Sequence, residues 1–491
     1  MFSYFKRFAQ QILTYGLGDT INKIISILIV PLFTRYLTPT DYGVAGVLLV
    51  TSTLLLGICD LGLSNGVTRF FHEKEKKSEV ISTAQIAMVA VSGLIALLAW
   101  PFAARISEVF FSSSQYSYYV FLTFLTIPLT LMNTAPMMRW RLEEKAKIYA
   151  FFNVAKVITG VTLNIVLIVF LNRGLAGLFE GPLINAAFYA LVIGGYSFYK
   201  NGVKFNWSYF KEMMVFSIPF VFGLLAFWVM DWADRFILAR MTSLHEVGLY
   251  NLGYSVGMAI MLPVGAFATA WPPFFISIKD QEEAPKIYSL AFTYYSLIIC
   301  FLVLILAVFS RDYFYFFTPA EYHDAYIVVP LVALAYAFKG HFSIASVGGF
   351  LKKKTIFQLV SDIIATAVNI VAMFILIPYL GRMGAAWATL IAYAALPILM
   401  YLLTSKIYPI KYEYGRLGLI MVVGLIIYGL CTVFYQPTLT NVILRAIVLL
   451  LYPIVFWLIG FFSPQEIKRL RNLKKGFLNR QIEAEVNEAA K

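Results

Sequence analysis

Apolar residues in this chain come in long unbroken blocks, separated by short polar or Gly/Pro-rich turns, with neither the alternation of a half-buried strand nor the stripe of a surface helix. A bilayer crossing takes ~20 mostly apolar residues. On that measure the pattern predicts fourteen spans, at 12–34, 43–69, 80–103, 118–138, 148–171, 175–198, 213–238, 247–275, 288–310, 326–350, 355–380, 385–405, 417–435 and 441–462. The turns between them run to about fifteen residues at most, too short for a soluble catalytic domain. Lys6 and Arg7 precede the first block as in a signal peptide, but the block is a full span long and lacks a small-x-small cleavage site, so it reads as a retained first helix.

Composition agrees. The 491 residues are 60% hydrophobic, 17% aromatic and only 13% charged, against about 25% charged in ordinary soluble domains. A water-facing surface cannot be built from that, which excludes a secreted disulfide protein, a disordered chain and a cytosolic nucleotide-binding enzyme. Cys59, Cys300 and Cys431 lie inside apolar blocks, so neither a disulfide framework nor a cysteine metal site is indicated, and no cofactor is implied. No phosphate-binding Gly-rich loop, metal-ligand spacing or nucleophile elbow is present, so ATP hydrolysis is not supported.

The net charge of +13 matters through its distribution. Loops on the side of the N-terminus carry 28 Lys and Arg, the opposite loops carry 6, and 5 lie within spans. That bias places both termini in the cytoplasm. The basic loops then face anionic headgroups, and nucleic acid is not needed to explain them. The basic tail at 463–491 reads either as a helix on that surface or as a solvated extension.

A repeat is written into the turns. Arg35, Thr38, Asp41 and Gly43 recur 205 positions later as Arg240, Ser243, Glu246 and Gly248, and Gly174 and Gly177 recur 207 positions later as Gly381 and Gly384. Six spans separate the copies, and six is even, so both enter the membrane from the same side. The expected fold is therefore all-α and integral to the membrane, with fourteen transmembrane helices. Residues 1–205 and 206–410 form two six-helix bundles related by a pseudo-two-fold axis along the membrane normal, 411–462 add two helices, and 463–491 form a cytoplasmic tail. Paired bundles of this kind rock about a shared cavity in transporters. Asp41 and Glu246 stand where a helix begins, facing its positive dipole end. Gly62-x-x-x-Gly66, Gly177-x-x-x-Gly181 and Gly253-x-x-x-Gly257 are read as close helix packing, and Pro31, Pro219, Pro263, Pro272 and Pro273 as candidate kinks.

The stretch from Pro31 through Arg35, Pro39 and Asp41 to Gly43, followed by Asp60-Leu-Gly62-Leu-x-x-Gly66-x-x-Arg69-Phe, resembles the opening of the Wzx-type polysaccharide and oligosaccharide flippases of the multidrug/oligosaccharidyl-lipid/polysaccharide exporter superfamily. The resemblance implies a multi-pass protein of a bacterial cytoplasmic membrane. Such a protein moves a polyprenyl-diphosphate-linked oligosaccharide, an O-antigen or other surface-polysaccharide repeat unit of the lipopolysaccharide type, from inner to outer leaflet. It also implies a cationic cavity between the halves, coupling to an H⁺ or Na⁺ gradient, contact with membrane lipids, and work beside a polysaccharide polymerase and chain-length machinery.

Ionisable groups within a span cost roughly 2.5–3.5 kcal/mol each on insertion scales, so each needs a reason. Lys23 and Lys339 fall at the middle of their spans, and Arg235 lies in the 213–238 span. These three are the candidate substrate-binding cations for the diphosphate, Arg through two parallel hydrogen bonds and Lys as a point charge. Asp19 precedes Lys23 by four residues, and Asp231 precedes Arg235 by four with Asp234 adjacent, so internal ion pairs are the alternative reading. Asp60, Asp231 and Asp234 are also candidate carriers of H⁺ or Na⁺. Lys156 and Arg445 are near enough to span ends to snorkel. His341 is read as structural or as part of a proton relay, and the aromatic cluster at 311–326 as an interfacial belt or a sugar-stacking surface. Two other functions compete: an ion-coupled drug/cation antiporter of the same superfamily, which would favour an acidic cavity, and a membrane polysaccharide polymerase built on the polar residues of 311–325.

Overall fold

The structure is a computed structural model that describes Ile25 and residues 28–354, 356–433 and 435–464. The described residues hold helices and turns and no strand, and thirteen helical segments are long and apolar enough to cross a membrane. In chain order these are α1 (Pro39–Cys59), α2 (Lys77–Phe111), α3 (Ser114–Leu142), α4 (Ala146–Phe170), α5 (Gly174–Asn201), α6 (Trp207–Trp232), α7 (Leu244–Ser277), α8 (Ala284–Phe317), α9 (Ala320–Leu351), α10 (Ile356–Leu380), α11 (Arg382–Thr404), α12 (Tyr414–Val433) and α13 (Leu439–Leu458). They match the second to fourteenth predicted spans; the first span, 12–34, falls mostly outside the described residues, as does nearly all of the basic tail.

The two matched turns start helices in related but unequal ways. At α1, the Thr38 hydroxyl accepts from the Asp41 amide at 3.2 Å while the Asp41 carboxylate accepts from the Thr38 amide at 2.8 Å, with Pro39 in the first turn. This reciprocal cap satisfies two helix-end donors. At α7, Ser243 accepts from the Glu246 amide at 3.3 Å. The Glu246 carboxylate is used elsewhere: it takes the Arg382 guanidinium at 2.5 Å and the Arg382 amide at 3.3 Å, tying the start of α7 to that of α11.

Breaks fall where the backbone cannot continue. Leu61 and Gly62 have φ of 54° and 68°, so α1 stops at Cys59 and a short helix, Leu63–Phe70, follows. The Gly62 position is closed to a side chain, because a Cβ there would lie 2.6 Å from the Ser217 carbonyl oxygen of α6. Within α7 a tight turn at Met258–Ile260 precedes Pro263, whose missing N–H leaves the Ala259 carbonyl without its helical donor. Gly66, Gly181, Gly253 and Gly257 are likewise packed against neighbouring helices.

The last two helices pack on α8 through an apolar cluster, and α13 is also tied to it by charge. Arg445 of α13, 3% exposed, makes a bidentate pair with Asp312 of α8 at 2.8 and 2.7 Å. The snorkelling expected for Arg445 is therefore corrected: its partner, 133 residues away, lets it stay inside. Breaking a buried pair from one side costs about 3–5 kcal/mol, because the remaining charge is stranded. Arg445→Ala is expected to lower stability by that amount, and Arg445→Met with Asp312→Leu to recover most of it, measured by thermal unfolding in detergent.

Candidate functional site

α6 ends at Trp232, and after Ala233 the short helix Asp234–Met241 begins. This break sets three charged side chains from one segment into the middle of a helix cluster. Asp231 is 6% exposed, Asp234 1% and Arg235 1%. The alternative reading of an Asp231–Arg235 carboxylate pair is corrected. Arg235 instead bonds the Asp234 carboxylate at 2.6 Å and the backbone carbonyl of Asp231 at 2.9 Å. Its guanidinium lies 3.8 Å from the centre of the Tyr254 ring and 5.2 Å from that of Tyr250. Arg235 does not open onto a cavity in this conformation; its donors are spent inside the protein.

The acids are satisfied from three other helices. Tyr250 of α7 donates its hydroxyl to Asp234, and Tyr393 of α11 donates to Asp231. Tyr254 of α7 shares a hydrogen bond of 2.6 Å with Tyr336 of α9. Lys339, one turn beyond Tyr336 on α9, brings its ammonium to 4.0 Å from the other Asp231 oxygen, between the Tyr336 and Tyr393 rings at 5.6 Å from each. Its side chain keeps 29% of its surface open. A buried carboxylate is tolerated only when paired and hydrogen-bonded, and this cage supplies both. The tyrosines were not singled out from the sequence. The spacing of Tyr250 and Tyr254, which puts two hydroxyls and Asn251 on neighbouring faces of one apolar span, was the available signal.

The remaining sequence candidates scatter. Asp60, at the end of α1, receives the Ser64 hydroxyl at 2.6 Å and its amide at 3.3 Å, so its carboxylate is engaged with the first turn of the short helix and not with the cage. Asp19 and Lys23 lie outside the described residues. Lys156 sits ten residues into α4, ~15 Å along the axis, and is half-buried. The helix carries its exposed stripe of Phe151, Ile158, Val166 and Phe170 on the other side. His341 is clamped between the Ala337 carbonyl at 3.1 Å and the Ser296 hydroxyl at 2.8 Å. It lies in the wall of an apolar cavity of about 430 Å³ among α8, α9, α11 and α12, with Phe292, Phe338 and Pro397. In the aromatic turn, Tyr315, Phe316 and Phe317 are exposed, whereas Tyr322 is buried and donates to the Leu37 carbonyl. Among the described residues no three His, Cys, Asp or Glu side chains gather as a metal site.

Comparison with known proteins places this geometry. The Polysaccharide biosynthesis protein family matches residues 8–279, more than half of the chain. Lsg locus putative protein 1 of Haemophilus influenzae is 20% identical over 280 residues, covering 55% of this chain and 66% of that protein, just short of two thirds of its length. A solved lipid II flippase MurJ in an inward closed conformation superposes with a TM-score of 0.73 over 92% of this chain and 100% of that one, at 16% identity. An inward-facing multidrug resistance MATE family transporter of the MOP superfamily superposes with a TM-score of 0.58 over 85% and 98%, at 13% identity. The all-helical membrane fold is thus the one shared by MurJ and the MATE transporters, and the chain, a multi-pass membrane protein, belongs to the polysaccharide biosynthesis protein family.

Proposed function

We propose that this chain is a flippase, a transporter and not an enzyme, that carries a polyprenyl-diphosphate-linked oligosaccharide from the inner to the outer leaflet of a bacterial cytoplasmic membrane. Residues 1–205 and 206–410 act as two halves in alternating access, with 411–462 appended and both termini cytoplasmic. The observation that carries the reading is Lys339. Its Cα stands about ten residues into the regular part of α9, ~15 Å along the axis and so near the middle of a ~30 Å hydrocarbon core. There its side chain, 29% exposed, stands beside a buried acid. A doubly charged headgroup must leave water to cross, and a cation at mid-depth lowers that barrier where it is highest.

Lys23, in the first span, is the cation of the N-terminal half. Arg235 serves by fixing Asp234, and with it the cage, instead of touching substrate. Asp231 and Asp234 are the groups through which an H⁺ or Na⁺ gradient acts, since both lie within reach of Lys339 or Arg235 and any change in their charge is felt at the site. The apolar cavity beside His341 suits an isoprenoid tail. Polymerase and chain-length proteins are the partners that would take up the delivered glycan. An antiporter of organic cations would require the acids to be the more exposed groups of the site, whereas here they are buried and the Lys339 side chain is the more exposed. The reading is tested by the leaflet on which the labelled lipid-linked glycan accumulates when the chain is absent.

A further inference from the structure

The cage does not end within the C-terminal half. Asn251, one residue past Tyr250 on α7, accepts from Arg235 Nε through Oδ1 at 3.3 Å and donates through Nδ2 to the backbone carbonyl of Tyr42 at 3.4 Å. Tyr42 lies in the first turn of α1, in the other half. The amide sits where the two halves cross most closely. A Cβ on Gly43 would be 1.9 Å from the Leu244 carbonyl oxygen, one on Gly248 would be 1.8 Å from the Pro39 carbonyl oxygen, and one on Gly46 would be 1.7 Å from Asn251 Nδ2. Backbone therefore meets backbone at α1 and α7, and Asn251 is a polar side chain that joins this crossing to the buried charges.

We propose that Asn251 is a positioning residue that transmits occupancy of Lys339 to the crossing of the two halves, an inference that rests on the flippase reading above. In the structure Lys339 neutralises Asp231, Arg235 is engaged with Asp234, and the Arg235 Nε–H orients the Asn251 amide toward Tyr42. An anionic headgroup at Lys339 draws the ammonium away from Asp231. The buried carboxylate then needs another cation, and Arg235, already bonded to the carbonyl of the same residue, is the one a side-chain rotation reaches. Arg235 keeps Asp234 through one nitrogen while the guanidinium tilts toward Asp231, which releases Asn251 Oδ1 from Nε, and the amide no longer holds the Tyr42 carbonyl. The crossing loosens on the face that the charge distribution places outward. Coupling of this kind is reciprocal, so a crossing opened by other means weakens the hold on the anion.

The test uses full-length protein in detergent, with Val47→Cys as reporter on α1, next to Gly46 and fully buried against α7, in a background of Cys59→Ser, Cys300→Ser and Cys431→Ser. Inorganic pyrophosphate is the soluble probe, its binding is read by thermal shift, and the crossing is read by the rate of labelling with an impermeant maleimide. The expected result is a Lys339-dependent thermal shift together with a several-fold faster labelling on adding pyrophosphate. Asn251→Ala is expected to label fast from the start with no further response. Asn251→Asp keeps the shape and an acceptor for Arg235 but loses the donor to Tyr42, and is expected to behave the same way, which guards against misfolding of one variant. If pyrophosphate binds through Lys339 but labelling is unchanged, or responds equally in both Asn251 variants, the transmission role is overturned and the Lys339 reading stands. If pyrophosphate gives no Lys339-dependent shift, the Lys339 reading falls and this inference falls with it.

Discussion

Lys339→Ala is expected to cut glycan export by about tenfold to a hundredfold, with normal amounts of protein in the membrane. Hydrogen bonds to charged groups contribute about 1.5–3 kcal/mol, and each 1.4 kcal/mol is a factor of ten. Two roles of the lysine have to be separated, because it stands 4.0 Å from Asp231 and keeps 29% of its side chain open. If it merely neutralises Asp231, Lys339→Ala combined with Asp231→Asn should restore export, since the stranded carboxylate is gone. If it holds the diphosphate, the double variant stays as defective as the single one, and Lys339→Arg, which keeps the charge, recovers part of the activity. The second pattern is expected, measured by export in cells carrying each variant and read as a double-mutant cycle.

Gly43→Ala combined with Gly248→Ala is expected to abolish export and to lower the melting temperature markedly. Each added methyl group would land within 2 Å of a backbone carbonyl oxygen on the facing helix, and a backbone atom cannot swing aside as a side-chain tip can. Overpacking of this kind costs about 1–3 kcal/mol per site. The two sites share one crossing, so their effects should not add. The pair pushes α1 from α7, and a crossing that cannot close cannot alternate. Gly93→Ala in α2 is the control, since no atom lies within 4 Å of the Cβ it would add; it should be neutral or slightly stabilising, because alanine is the better helix former by about 1 kcal/mol. Thermal unfolding and export in the same set of variants check both statements.

The spans were legible because bilayer thickness forces long apolar blocks, and nothing about packing is needed to count them. The two matched turns were legible because a helix start demands particular side chains, as Thr38 with Asp41 and Ser243 with Glu246 show. The breaks were not. The 43–69 block resumes its apolar run after Asp60 and Leu61, and the 213–238 block runs on to Leu238 past Ala233, and hydropathy is blind to a positive φ or to a single tightened turn. Four-residue spacing made Asp231 the alternative partner of Arg235, whereas the guanidinium takes the adjacent Asp234 carboxylate and only the backbone carbonyl of Asp231. Partners on distant helices were hidden for a different reason. Lys339 has no acid within four residues, yet α6 brings Asp231 to it, and α8 brings Asp312 to Arg445. The tyrosine cage escaped because an aromatic ring counts toward hydropathy while its hydroxyl does the hydrogen bonding. In each case, local rules reached as far as one helix turn and the site was assembled from four helices.

The leaflet distribution of the lipid-linked glycan is the most direct measurement. Cells lacking the chain are fed radiolabelled sugar, and the polyprenyl-diphosphate glycan on each leaflet is counted by its susceptibility to an impermeant glycosidase added to spheroplasts. Label held on the inner leaflet, and released outward when the chain is supplied again but not when Lys339→Ala is supplied, is the result predicted. Label reaching the outer leaflet equally fast without the chain, with altered drug susceptibility as the sole defect, would contradict it.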